Sequence, residues 1–357
     1  MLVKRQYNNK AENPAPPGCF PARLARFASP RGTGELFFYS PICLNITMLK
    51  GAFAGEAGAA GLGPEAFTGG GFRISAFCPA RPGLKRPAAP QDAMAYGDLE
   101  SLLSKEPGLD FAAINLPRKE SFSAALLALN HGLHVICKPP FCASTTEFET
   151  LRAAAEKAGK IIFPAQPWEH AAPWLALEKA ITRGLAGEIN YAEVQAMIPG
   201  PAPEGGAAAA LDWQAFSMLL AMVRRPPSAI EARMDCGGTA AFHAHFGGAD
   251  GFIHISCGAH APRLRAAVAG SLGRLELDGN LLRLDIKDLP PETVELRHEL
   301  VPGACRPEWL AAELSAFKKE TEGSLARGSG LRNSRYCVKI LKNAAYSASV
   351  KSAAVPL

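Results

Sequence analysis

Apolar positions fall into two regimes along this chain. Between residues 41 and 167, short apolar runs of strand length alternate with stretches in which apolar residues recur at helical spacing. Ile42–Leu49 is β-branched and apolar, and it runs into glycines at 51, 55, 58, 61 and 63, the order of strand, glycine-rich turn and helix. Phe72–Phe77 and Phe111–Leu116 predict a second and a third strand, with a short helix around Leu99–Ser104 between them. Ser121 is placed to cap a helix with Phe122, Ala125, Leu126 and Leu129 on one face, and Gly132 ends it before the strand His134–Cys137. Thr146–Glu149 has the form of a capping box whose helix stops at Gly159, ahead of the strand Ile161–Phe163. This alternation predicts a doubly wound parallel sheet, with ligands at the carboxyl ends of its strands.

From Trp168 the pattern changes. Helices are expected over Trp174–Arg183 and Trp213–Val223, separated by a Pro/Gly-rich loop from Pro199 to Gly206. Alternating strands follow at Ser228–Met234, Thr239–Phe246, Gly251–Cys257, Arg263–Ala269, Gly273–Leu277 and Leu281–Ile286, and helices at Glu308–Glu322 and Leu331–Ser349 close the chain. The expected fold class is therefore α/β: a parallel doubly wound sheet, then an α+β part with a large, mostly antiparallel sheet and helices on one face. Three segments result, a basic arm over 1–40 read as disordered, a first domain over 41–167 and a second over 168–357.

Composition narrows the function classes. With 357 residues, 48% hydrophobic and 20% charged, the chain is long enough for two cores, which excludes disorder as its dominant state. The longest charge-free apolar stretch, after Glu35, is interrupted by Pro41 and Asn45 and is shorter than the roughly 20 residues of a spanning helix, so a soluble protein is expected. Net charge is +5, but the first 40 residues hold six Lys/Arg against two Glu, which leaves little for the body and implies no nucleic-acid surface. Nine cysteines without a C-x-x-C pair read as reduced core residues of a cytoplasmic protein rather than a disulfide framework.

The glycine cluster suits a dinucleotide pyrophosphate, because glycine lets backbone N–H groups approach phosphates at a helix N-terminus. Gly51, Gly55 and Gly58 are the candidates, although a G-x-G-x-x-G frame opened at Gly51 meets Phe53 and Glu56. At the end of the second strand the chain reads Cys78-Pro79-Ala80-Arg81, without the carboxylate that usually holds an NAD ribose. Arg81 suits a 2′-phosphate, which slightly favours NADP over NAD. His243 and His245 share one strand face, with His254 across the Gly247–Gly251 turn. That is a possible metal geometry, but the three are read as lining the exposed or dimer-facing side of the sheet, with no metal.

Three longer stretches, Tyr96–Leu103 (YGDLESLL), Asp110–Pro117 (DFAAINLP) and Ala128–Pro140 (ALNHGLHVICKPP), resemble the glucose-fructose oxidoreductase / inositol dehydrogenase / MocA family. Pro164–Pro173, Gly184–Ile189 and Ala344–Ser349 extend the resemblance over about residues 44–357. The resemblance implies a Rossmann domain that binds NAD(H) or NADP(H), hydride transfer at a sugar, nucleotide-sugar or cyclitol carbinol, and a homodimer or homotetramer built through the second-domain sheet. Asn115, Pro117, Lys138 and Pro139 then fall at cofactor positions, and Trp168, Glu169 and His170 at a substrate segment.

Departures from the family pattern touch the chemistry. The family's Glu-Lys-Pro falls on Lys138-Pro139-Pro140, so its lysine becomes Pro139 and Lys138 takes the glutamate place. A helix motif with aspartate and histidine falls on Ala210 and Gln214, and another family histidine is Ser121. Glutamine has no accessible pKa and cannot take a carbinol proton. Lys138, Asp212 and Gln214 are the residues left for an acid/base set. The departures at the catalytic step point to a catalytically silent binding or partner subunit and the resemblance points to an oxidoreductase, with a lyase or isomerase using a permanently bound cofactor as a weaker third reading.

Overall fold

A computed structural model describes residues 48–56, 62–79, 92–203, 206–235, 238–328 and 330–357. The basic arm over 1–40, Ile42–Thr47 of the expected first strand, Gly58 and Arg81 lie outside the described residues. The first described strand, β1 (Leu49–Gly55), begins where the sequence pattern ended one. Its residues are small because its neighbours come close: a Cβ on Gly51 would stand 2.2 Å from the ring of Phe111. Gly51 is thus a packing glycine inside a strand, not part of a phosphate turn, which corrects its assignment to the cofactor.

β1 lies parallel to β2 (Phe72–Pro79) and to β4 (Phe111–Asn115). With β3 (Met94–Ala95), β5 (His134–Cys137) and β6 (Ile162–Pro164), the strands follow the order β3-β2-β1-β4-β5-β6, that of a dinucleotide-binding doubly wound sheet. Alternation sends Ala52, Ala54, Ile114, Val135 and Cys137 into one core with α1 (Leu99–Lys105), α2 (Arg118–Asn130) and α3 (Thr145–Ala158). Phe53, Phe111, Ala113 and Ile136 enter another.

Two helix starts differ from expectation. Pro117, not Ser121, stands at the N-cap of α2. Ser121 is buried one turn in, its hydroxyl donating to the carbonyls of Leu116 and Pro117. For α3 the cap is Ser144, which accepts from the Glu147 N–H, while the Glu147 carboxylate accepts from the Ala143 N–H. The capping box therefore sits two residues before Thr146–Glu149, where an apolar Phe141 ahead of it fixes the chain entry.

After α4 (Ala172–Thr182) comes β7 (Ile189–Pro199), a strand absent from the sequence reading. Its inward residues Ala192, Val194 and Ala196 are small and alanine is a weak strand former, so its alternation carried little signal. It nevertheless forms the centre of the second sheet, parallel to β10 (Ala249–Ala259) and antiparallel to β11 (Arg263–Gly270). The remaining strands are β8 (Pro227–Met234), β9 (Thr239–Phe246), β12 (Gly273–Asp278), β13 (Leu281–Ile286), β14 (Glu292–Glu295) and β15 (Val355–Pro356). The order is β14-β13-β12-β11-β7-β10-β9-β8-β15, antiparallel apart from β7 and β10.

One face of this sheet is covered by α4, α5 (Gly206–Val223) and α7 (Leu331–Ser349). The resemblance assigns the other face to subunit contact, for which an apolar surface would be usual. It carries instead Glu193, Arg265, Arg274, Glu276 and Arg283, in which Glu276 accepts from all three guanidinium groups, beside Met197 and Phe252. α6 (Pro307–Thr321) returns to the first sheet, and its buried Phe317 packs between Phe72, Phe111 and Phe163. The second core of the parallel sheet is thus completed by residues from the far end of the chain.

Candidate active site

The carboxyl ends of β4, β5 and β6 converge on one cleft of about 330 Å³, closed from the other side by α5 and the 303–305 loop. Beyond β4 it is lined by Leu116, Pro117 and Arg118; beyond β5 by Lys138, Pro139 and Pro140; beyond β6 by Gln166 and Trp168. The Pro139–Pro140 peptide is cis. From α5 come Asp212, Trp213 and Gln214. A larger cavity of about 750 Å³, lined by Arg152, Lys160, Arg327 and Arg332, opens between α3, α7 and the amino end of β6. Ligands of doubly wound sheets bind at the opposite, carboxyl ends, so the smaller cleft is the candidate site.

Lys138 is half-buried and no described group hydrogen-bonds its ammonium. Burial pushes its pKa below that of an ordinary lysine, against the opposing pull of Glu56. Asp212 is another of the residues left for an acid/base set. It is buried: its Oδ1 accepts from the Trp213 N–H at 2.6 Å and its Oδ2 stands 3.4 Å from the Arg118 guanidinium. Burial raises its pKa, and Arg118 together with the N–H bond opposes that rise.

Three buried polar atoms of the lining have no partner: Gln166 Oε1, Trp213 Nε1 and Gln214 Nε2. Only one other such atom, Arg265 Nε, occurs among the described residues, and it is on the second sheet. A buried polar group without a hydrogen bond costs about 1–3 kcal/mol, so their gathering in one cleft marks a place shaped for hydroxyl or amide groups of a ligand.

The segment after β6 divides. Trp168 lines the cleft, its ring packed edge-on to Trp174 at 5.0 Å. Glu169 and His170 are not among the lining residues. Glu169 accepts from Gln166 Nε2 at 2.7 Å, and burial beside the Glu313 and Glu178 carboxylates raises its pKa to about 8. His170 Nε2 lies 2.8 Å from Glu313 of α6, whose other oxygen accepts from the Gln166 N–H. These two hold the cleft wall from behind.

Gly55 ends β1 where only glycine fits, since a Cβ there would lie 2.3 Å from the Asn115 carbonyl oxygen and φ is +155°. Asn115 does not face the cleft; its amide donates to the carbonyls of Glu56 and Leu62, tying both residues to the end of β4. A frame opened at Gly55 rather than Gly51 puts Ala57 and Ala60 at the second and third fingerprint positions, of which the third admits alanine. Gly55 itself stands at the switch point between β1 and β4, where doubly wound sheets hold a dinucleotide. Sequence reasoning missed Arg118, Gln166 and Trp213. The first two follow directly on parallel strands, a position that could have singled them out; Trp213 carries no such signal.

The family model for an NAD-binding Rossmann-fold oxidoreductase family, GFO_IDH_MocA, matches residues 71–166, which excludes β1 and its glycines. Among curated proteins, the chain is 28% identical over 91 residues to the oxidoreductase YfiI of Bacillus subtilis (strain 168), covering 26% of this chain and 23% of that one. It is 33% identical over 73 residues to scyllo-inositol 2-dehydrogenase (NADP(+)) IolU of the same organism, covering 20% and 22%. The matches thus span about a quarter of these relatives' lengths. Over nearly the whole chain the fold is similar to that of an oxidoreductase from Agrobacterium radiobacter in complex with NAD+, L-tartaric acid and magnesium (TM-score 0.71, 18% identity, 87% of this chain and 98% of that one). It is likewise similar to aldose-aldose oxidoreductase from Caulobacter crescentus complexed with glycerol (TM-score 0.70, 17% identity, 87% and 100%). Strand order and cleft position agree with this fold, and residues 71–166 match the NAD-binding Rossmann fold of the GFO_IDH_MocA oxidoreductase family.

Proposed function

We propose that the protein is an NAD(P)-dependent oxidoreductase acting on a small polyhydroxylated substrate, a sugar, nucleotide-sugar or cyclitol. The observation that carries this reading is the unsatisfied polar lining of the cleft, two side-chain amides and an indole N–H, beside a lysine whose ammonium no described group hydrogen-bonds. A silent subunit would have no reason to keep three buried polar groups unpaired around one opening. The relatives named as scyllo-inositol 2-dehydrogenases and the aldose-aldose oxidoreductase support the same substrate class.

Gly55, beside the Asn115 bonds to Glu56 and Leu62, would carry the pyrophosphate, with Gly58 and Arg81 as candidates outside the described residues; Pro117, Lys138 and Pro139 would border the nicotinamide end. A bound nicotinamide supplies the acceptor for the carbinol hydride. Lys138, its pKa lowered by burial, takes the hydroxyl proton in its neutral form and returns it in the reverse direction. Gln214 and Trp213 donate hydrogen bonds to hydroxyls of the substrate, and Gln166 accepts one. Asp212, held by Arg118, positions the first turn of that wall. NADP is favoured over NAD by Arg81 and by the lack of a carboxylate at Cys78-Pro79. A homodimer or homotetramer through the nine-stranded sheet, in the cytoplasm, completes the reading.

The test is titration of the full chain with NADH and NADPH by nicotinamide fluorescence, then turnover on a panel of aldoses, nucleotide-sugars and inositols. Binding with NADPH preferred and oxidation of at least one polyol is expected. A folded protein that binds neither dinucleotide overturns the reading.

A further inference from the structure

On the charged face of the nine-stranded sheet, the registers of three neighbouring strands bring four side chains together. Glu231 on β8 stands opposite His243 on β9, and Asp250 on β10 stands opposite His245. The two imidazoles lie 4.0 Å apart between the two carboxylates. His254, the third histidine of the sequence pattern, pairs in register with Ala241 and is not one of the group.

Each neutral imidazole has one N–H and one lone pair. Asp250 Oδ1 lies 2.9 Å from His243 Nε2 and 3.3 Å from His245 Nδ1, and Glu231 Oε1 lies 3.9 Å from His243 Nδ1 and 2.8 Å from His245 Nε2. Without an ion, His243 Nε2–H can donate to Asp250 and His245 Nε2–H to Glu231. In the other tautomer of His245, both rings turn their N–H toward Asp250, and His243 Nδ1, His245 Nε2 and Glu231 Oε1 present three lone pairs to one point. We propose that Glu231, His243 and His245 bind a divalent transition-metal ion of the zinc class, with Asp250 orienting both imidazoles from the far side.

Two nitrogens and one carboxylate oxygen form a donor set that suits zinc and its neighbours better than calcium or magnesium. The three ligand atoms lie within 4.8 Å of one another, and small side-chain rotations would bring all three to about 2 Å from an ion. A carboxylate behind a ligating histidine is the usual device that fixes its tautomer, and here one carboxylate serves two. His243 is further held by Phe252, stacked on its ring at 4.4 Å. The remaining coordination position opens on a cavity of about 300 Å³ lined by Glu193, Phe252 and His254, so the ion can take water or a ligand oxygen there.

The experiment is equilibrium dialysis of the chelator-stripped full chain against Zn2+, with Co2+ absorption as a probe of tetrahedral ligation. One ion per chain is expected, lost in the His243→Asn/His245→Asn double variant and in Glu231→Gln, weakened about 10- to 100-fold in Asp250→Asn, and unchanged in His254→Asn. Absence of stoichiometric binding by the unaltered chain overturns the proposal, since the acceptors would then be served by protons. Binding that survives the double histidine variant overturns it as well and assigns the ion to cysteine thiols. Should the double variant fail to fold by circular dichroism, Glu231→Gln and Asp250→Asn, at the partly exposed rim, decide the matter alone.

Discussion

At the scale of single residues, the candidate site turns on which side chains are buried without their usual partners. Among the described residues Lys138 has no counter-charge within hydrogen-bonding reach, and desolvation lowers its pKa. Its neutral form is therefore available at a lower pH than for a lysine in water. Alcohol oxidation should rise with pH along a limb below the ordinary lysine value of 10.5, and Lys138→Met should remove that limb and reduce kcat by on the order of 10²-fold or more. Asp212→Asn should lower kcat/KM while the limb stays, since its carboxylate is held by Arg118 and the Trp213 N–H. If the limb vanishes with Asp212 instead, the proton acceptor is Asp212 and not Lys138. Both profiles come from initial rates across pH. The resemblance places a lysine and a histidine of the family at Pro139 and Gln214, a departure legible in the sequence. That the burial of Lys138 still leaves the cleft a titrating group was not, because burial is a property of the packed chain.

At the scale of elements, two features join distant parts of the chain. α6 buries Phe317 among Phe72, Phe111 and Phe163, so the parallel sheet depends on residues some 150 positions beyond its last strand. Phe317→Ala should cost about 3–5 kcal/mol, read as a lower urea midpoint of the first sheet's unfolding. The wall behind the cleft, Gln166 with Glu169, Glu313 and His170, carries a pH dependence. Glu169 has its pKa raised from 4.5 to about 8 in the fold, so between those values the unfolded chain has released a proton that the native one retains. Stability should fall as pH rises through that window and level off above it. Glu169→Gln should flatten this slope in melting temperatures measured from acid to alkaline pH. The 3.6- and 2-residue periods announced most helices and strands, yet β7 escaped them because alanines fill its inward positions.

At the scale of the whole molecule, the cleft exists only because α5 and the 303–305 loop meet the ends of the parallel strands. Its length of lining from both halves explains why a substrate would contact Gln166 and Gln214 at once, though 48 positions separate them. Removing residues 1–40, which contribute most of the net charge, should leave dinucleotide affinity unchanged, as both halves of the cleft lie within the later chain; the same fluorescence titration checks it. No described helix is long and apolar enough to cross a membrane.

The sequence alone determined the order of most elements, the parallel and mostly antiparallel character of the two sheets, and the resemblance to an oxidoreductase family. These follow from local periodicity, turn chemistry and motif text, which a linear chain carries in itself. Only the tertiary structure decided that Gly51 packs while Gly55 turns, that Asp212 is buried against Arg118, and that Glu231 and Asp250 rather than His254 flank His243 and His245. Each of those depends on strand register and on which face a residue takes, and a shift of one residue in either would separate the groups concerned.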